Sequence, residues 1–242
     1  MTELRDPTVD AALEKWRARW PEWPIAEKFV PPLHRERAQA WFALRHELKQ
    51  AAWGGADPRP GEAKLAWWVE ELKGWKQGAR RHPLGIVLQR EPAPWQALAA
   101  SLPTLLALRE RVATTEEAVE TLAPFADSIA GIAAVLFRVG NPAPTGNVVY
   151  GVLAERVLEG ADAGVPLEFV ARAGEAPPPT AARLWAKSLL ERWPAPHDGS
   201  AAGRVHASLL RERLRRFAAG GAPDAPLPAW RTLATSWKAA RR

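Results

Sequence analysis

The chain has 242 residues, a formal charge of +6 and no Cys, which suits one large domain or two small ones with a sizeable core and leaves out disulfides and thiolate metal sites. The positive excess sits in patches, at Arg80–Arg81, Arg211 to Arg216 and Lys238 to Arg242; these read as solvated helix faces, with an anionic lipid or a diphosphate as alternative partners. No paired zinc-ligand spacing and no aromatic–Gly strand motif accompanies them, so no nucleic-acid partner is expected.

In chain order, the first expected element is a helix from Asp6 to Trp20, with Asp6 as N-cap, Pro7 at the first helical position, and Leu13, Trp16 and Trp20 on one face. Its charged start shows no apolar core segment, and no run of roughly 18 apolar residues occurs anywhere, so neither a signal peptide nor a transmembrane segment is expected and the reading is cytoplasmic. Ile25 to Pro32 reads as a connector. Leu33 to Trp53 is a long helix with Ala40, Ala43, Leu44 and Leu48 on its apolar side. GGADPRPG, Gly54 to Gly61, is a loop.

The strongest helical signal follows. Leu65, Trp68, Leu72 and Trp75 recur at spacings of three and four, Lys73 and Lys76 suit the helix C-terminus, and Gly78 ends the pattern. A polar hinge, GARRHP, leads to an apolar run, Leu84 to Leu88. Pro94 to Val112 is a helix that Pro103 kinks or breaks in two. Thr114, with Glu117 three residues on, opens a helix reaching about Arg138 that is apolar on most faces and so is expected at the centre, with Asp127 buried in it. Further helices are expected over Val148 to Ala161, Leu167 to Ala171, Ala181 to Trp193, Ser200 to Ala219 and Ala229 to Ala240. No strand shows convincing alternation. The fold class is all-α, one helical domain of about ten helices over residues 1–242.

Few residues offer chemistry. The five His (His34, His46, His82, His197, His206) have no partner at metal-ligand spacing, and no Gly-x-Ser-x-Gly string marks a covalent hydrolase. Magnesium-assisted chemistry on diphosphates wants two Asp one helical turn apart. Among the seven Asp, Asp6 and Asp10 have that spacing, but at the start of the first helix, where a cap and an exposed charge account for them.

Four strings, taken together and in order, resemble the squalene/phytoene synthase family of head-to-head prenyl-diphosphate synthases. RAQAWFALRHEL (Arg37 to Leu48) is similar to the family's second helix. AKLAWWVEELKGWKQGARRHPLGIVL is similar to its Leu-x-Trp-Trp helix and His-Pro hinge. ATTEEAVETLAPFADSIAGIAAVLF is similar to its Thr-x-Glu-Glu segment, and SWKAAR to its closing helix. The family's two Asp-x-x-x-Asp motifs are replaced: the first lands on Lys49 and Trp53, the second on about Arg156 and Gly160, and no shift of a residue or two restores a pair.

The resemblance therefore implies an isoprenoid-synthase fold without catalytic residues, without a metal site and without a cofactor. Mg²⁺ enters only if a divergent prenyltransferase activity remains. Arg37, Lys49, Trp53, Asp127 and Arg156 are the expected diphosphate-binding or cavity-lining residues. The family includes members without Asp motifs that serve as assembly factors for respiratory complex I, and Glu47–Leu48 resembles that branch. An isoprenoid or lipid-like ligand and a protein partner are both expected as alternatives. The 13 Trp beside Arg also suit an interaction module or peripheral contact with the inner membrane.

Overall fold

A computed structural model describes residues 7–160, 164–196 and 199–241. Asp6, Asp162, His197, Asp198 and Arg242 lie outside them, and with Asp6 the cap expected there. The described chain is all-α, with no strand among the described residues. The helices are α1 (Pro7–Arg19), α2 (Trp23–Ala26), α3 (Pro32–Trp53), α4 (Pro58–Trp75), α5 (Leu84–Leu88), α6 (Trp95–Ser101), α7 (Pro103–Ala107), α8 (Thr115–Leu136), α9 (Thr145–Gly160), α10 (Leu167–Ala173), α11 (Thr180–Glu191), α12 (Ala201–Ala218) and α13 (Ala229–Ala240). A 3₁₀ turn, Glu27–Phe29, follows α2, so the expected connector is partly helical.

The spacing argument holds in α4: Leu65, Trp68, Leu72 and Trp75 are each at most 2% exposed. The helix takes in the last four residues of the expected loop. The Asp57 carboxylate accepts the Arg59 N–H at 3.0 Å, and Pro58 and Pro60 occupy a first turn whose N–H groups would have no helical partner. Gly61 therefore lies inside the helix. A Cβ there would approach the Ala51 carbonyl oxygen to 2.3 Å, so the missing side chain lets α4 cross close to the end of α3.

The hinge after α4 is locked by one carboxylate. Glu71 is buried and accepts from the Trp75 indole at 2.9 Å, the Arg81 N–H at 2.8 Å and the His82 N–H at 2.9 Å. It also pairs with the Arg81 guanidinium at 3.1 Å. Burial favours the neutral acid, but these donors outweigh it and hold the carboxyl below its ordinary range. His82 then lies 4.6 Å from the Trp68 ring, and the Arg81 guanidinium 5.1 Å from the Trp67 ring. The Trp67–Trp68 pair is thus packing: Trp68 is fully buried and Trp67 half-buried.

Pro103 splits the expected long helix into α6 and α7. At α8 the Thr114 hydroxyl accepts the Glu117 N–H at 3.2 Å, and the Glu117 carboxylate accepts the Ala113 N–H at 2.7 Å. This is the Thr114 cap expected from the sequence, with the return bond from Glu117 going to the residue before the cap. Thr114→Ala should cost ~1 kcal/mol, read as a lower urea midpoint with unchanged slope.

On length and composition α8 is long and apolar enough to cross a membrane, and 39% of its apolar window is buried. It packs against α6, α7 and α9. Asp127 is exposed at its middle rather than buried as expected; a carboxylate at that point would be costly in hydrocarbon.

The buried apolar side chains form one continuous cluster that runs from Val9 in α1 to Ala239 in α13. The packing passes from α1, α4 and α5 against α3, through α6 and α7 onto α8, then α9, and on to α12, which carries α11 and α13 on its flanks. This order places α3, α9 and α12 around a common interior, where the charged residues of the candidate site meet.

Candidate functional site

α3 turns Arg45, His46 and Lys49 toward α9, since these positions recur at one and nearly one helical turn. α9 answers with Glu155 and Glu159, four residues apart on the facing side. The Lys49 ammonium lies 2.6 Å from Glu155 and 3.6 Å from Glu159. Arg45 lies 3.5 Å from Glu155, and His46 3.4 Å from Glu159. From α12, His206 Nε2 comes within 3.6 Å of Glu155. Lys49 and Glu155 are 3% and 7% exposed at their side chains, so this central pair is shut off from solvent.

Burial by itself would raise the Glu155 pKa, but the adjacent charges of Lys49 and Arg45 prevail and bring it down to about 2. His206 goes the other way for an imidazole. Its burial outweighs the attraction of Glu155 and pushes its pKa down to about 3, so it is neutral at neutral pH. Its ring is stacked on Phe42 at 4.4 Å and tilted against Trp20 at 4.3 Å. Here His206 serves as a core aromatic.

Arg156 is the second basic residue expected on the diphosphate. It is 8% exposed and donates to the Leu108 carbonyl, with its guanidinium 4.5 Å from the Trp53 ring. The Trp53 indole donates to the Leu105 carbonyl at 2.7 Å. Arg156 Nη1 has no hydrogen-bond partner. Burial and the nearby Arg109 lower the Arg156 pKa to about 10. A cavity of about 330 Å³ opens here, lined by Arg156, Trp53, Arg109, Arg19, Gln50 and Glu159 among others. Gly164 closes one side, where a Cβ would sit 1.9 Å from Arg156 Nε.

Lys49 and Arg156 thus stand on facing helices, but they do not converge. Lys49 is taken up by two carboxylates, and Arg156 points to Trp53 and Leu108. Arg37 is elsewhere again, donating to the Leu136 carbonyl at 2.7 Å and pairing with Glu91. It ties α3 to the end of α8. Asp127 accepts from the Thr145 hydroxyl at the start of α9. Neither Arg37 nor Asp127 lines the cavities described here. Glu47 is buried between Lys64 at 2.5 Å and Lys15 at 3.5 Å.

A second cavity, of about 150 Å³, lies between α3, α8, α9 and α12. Trp41, Phe42, Ile129, Phe137 and Leu210 make it mainly apolar, while Arg45 and His206 join it to the ionic lattice. Arg45 Nε is buried there without a partner.

Sequence reasoning overlooked Glu155 and Glu159. They are a carboxylate pair at helical spacing, one residue before the positions assigned to the second Asp motif, so a one-residue shift does restore a pair. The signal was present in AERVLEG but was sought only as Asp. The pair does not suit a magnesium ion as placed. A divalent cation needs several hard oxygen ligands, and among the described residues no group of three or more His, Asp or Glu could hold one. The Lys49 ammonium already occupies the space between the two carboxylates, where a second cation would meet like-charge repulsion.

The sequence matches no protein-family model and no curated protein.

Proposed function

We propose that this chain is a squalene/phytoene synthase-like helical domain that does not transfer prenyl groups and works by binding. The observation that carries the reading is Lys49 seated between Glu155 and Glu159. Prenyl transfer needs a clamp that gathers charge on a leaving diphosphate. Here the facing helices neutralise each other with their own side chains, and the charges are spent inside the protein. The size of the apolar cavity favours a protein partner over a long isoprenoid. About 150 Å³ is the volume that elsewhere admits benzene, and a farnesyl or geranylgeranyl chain is several times larger. An assembly-factor-like role, in which the packed helical surface does the recognition, fits so small an apolar cavity.

The test is direct. Purified protein incubated with Mg²⁺ and farnesyl or geranylgeranyl diphosphate should release no more pyrophosphate than a protein-free blank. Release above the blank overturns the reading.

One observation favours a second reading, a prenyltransferase with divergent diphosphate binding: Arg156, whose buried Nη1 has no hydrogen-bond partner, lines a cavity together with Arg19 and Arg109. That reading requires pyrophosphate release, and requires Arg109→Gln to lower it by about tenfold or more, as expected when a cation that stabilises developing charge is removed.

A further inference from the structure

The last helix, α13, is amphipathic in the wrong sense for a helix that ends at water. The face it buries against α12 and α2 consists of Thr232, Ser236 and Ala239, each at most 4% exposed. Ser236 Oγ is buried there without a hydrogen-bond partner. The large apolar residues point outward instead: Trp230 is 66% exposed, Leu233 54% and Trp237 46%. These three recur at i, i+3 and i+7, which stacks them in one stripe. They are three of the five large hydrophobic residues exposed among the described residues, so the stripe is a concentrated patch and not a scatter of single side chains.

The charge on the helix itself has one sign. Between residues 229 and 241 the charged residues are Arg231, Lys238 and Arg241, with no Asp or Glu. The Arg231 guanidinium lies 5.2 Å from the Trp230 ring and that of Arg241 4.3 Å from the Trp237 ring. Nearby acids are few. Glu212 on α12 is taken by Arg215 and, at 3.2 Å, by Arg231, and Asp224 is exposed in the turn before the helix. The helix is fastened to the body by Arg204, whose Nε donates to the Ala239 carbonyl at 3.1 Å, and by Leu227, whose N–H donates to buried Glu22 at 2.8 Å. It is therefore presented as a rigid ridge.

We propose that α13 seats the protein on an anionic lipid surface, with Trp230, Leu233 and Trp237 entering the boundary between headgroups and acyl chains. Indole suits that boundary because its ring is apolar and its N–H stays hydrogen-bonded. Arg231, Lys238 and Arg241 meet the lipid phosphates beside it. An in-plane helix with aromatic and basic residues side by side is the arrangement such binding requires. Charge complementarity selects lipid over a second copy of the chain, since the same basic stripe on two copies would repel.

The test uses the full chain and vesicles of phosphatidylcholine with or without phosphatidylglycerol. The protein should float with the phosphatidylglycerol vesicles at ~0.1 M salt, less so at ~1 M, and not with phosphatidylcholine alone. The triple variant Trp230→Ser, Leu233→Ser, Trp237→Ser should lose vesicle binding by about tenfold or more with an unchanged melting temperature, since these side chains contribute little to the core. The triple charge variant Arg231→Gln, Lys238→Gln, Arg241→Gln should lose the preference for phosphatidylglycerol. Absence of flotation with anionic vesicles, or equal flotation of the Ser variant, overturns the proposal. So does a dimer that the Ser variant converts to monomer without any vesicle binding, because a second copy would then cover the stripe. Pyrophosphate release is independent of each outcome.

Discussion

Glu155→Ala should destabilise the protein by roughly 3–5 kcal/mol, the largest effect of any single polar substitution here, because it leaves buried cations without their counter-charge. Lys49 and Arg45 both converge on this carboxylate from α3, at 2.6 Å and 3.5 Å. The converse change, Lys49→Met, should cost less, about 1–3 kcal/mol. Glu155 then keeps Arg45, and Glu159 keeps His46 at 3.4 Å and Gln50 at 3.4 Å. The asymmetry is the informative part. If Lys49 were held for an external anion, its removal would leave stability nearly untouched and would abolish ligand binding instead. Urea unfolding of the two variants beside the parent protein decides this. Equal midpoints for Glu155→Ala and the parent would mean that the lattice contributes nothing to the fold.

The second large effect is acid lability. Glu155 has a folded pKa of about 2 against an ordinary 4.5. In the range between those values the unfolded chain binds a proton that the folded chain does not, so stability is present above pH 4.5 and is lost on acidification toward pH 2. His206 has a folded pKa of about 3 against 6.5. Its depressed value also means that the unfolded state takes up the proton first, so the loss begins as pH falls below 6.5. The two groups act with the same sign, and the lowered carboxyls of Glu47, Glu71 and Glu159 add to it at the acid end. Unfolding free energy should therefore fall by roughly 3 kcal/mol or more between pH 7 and pH 4. His206→Phe, which keeps an aromatic ring beside Phe42, should remove most of the slope between pH 6.5 and pH 4.5, where the histidine titrates without Glu155, and leave a shallower one below it that the carboxyls carry. A stability profile level down to pH 4 would contradict the burial of both groups.

The elements were legible wherever local chemistry is strong. The period of Leu65, Trp68, Leu72 and Trp75, the Thr114 cap and the Pro103 break all report interactions within a few residues of chain, and each is where the spacing puts it. The start of α4 was misread because Gly, Asp and Pro mark a turn in most settings. The sequence alone cannot see the Ala51 carbonyl that makes Gly61 a crossing point, nor that Asp57 would cap the helix.

The charged residues of the candidate site were less legible. Lys49 and Arg156 stood out because they replace expected Asp residues, but what a buried cation does depends on what faces it. Partners separated by 106 residues, as Lys49 and Glu155 are, leave no local trace. Arg37 and Asp127 show the same limit, since Arg37 ties α3 to the end of α8 and Asp127 ties the middle of α8 to the start of α9.

By itself, then, the sequence determined an all-helical chain, the helix faces carrying Trp and Leu, and the lack of an Asp pair beyond Asp6 and Asp10, because these follow from residue type and period. Only the tertiary structure decided that Glu155 and Glu159 enclose Lys49, and that α13 turns its Trp residues away from the core. Both depend on which faces meet across the chain, and desolvation then makes a charge pair obligatory in the first case and leaves an apolar stripe without cover in the second.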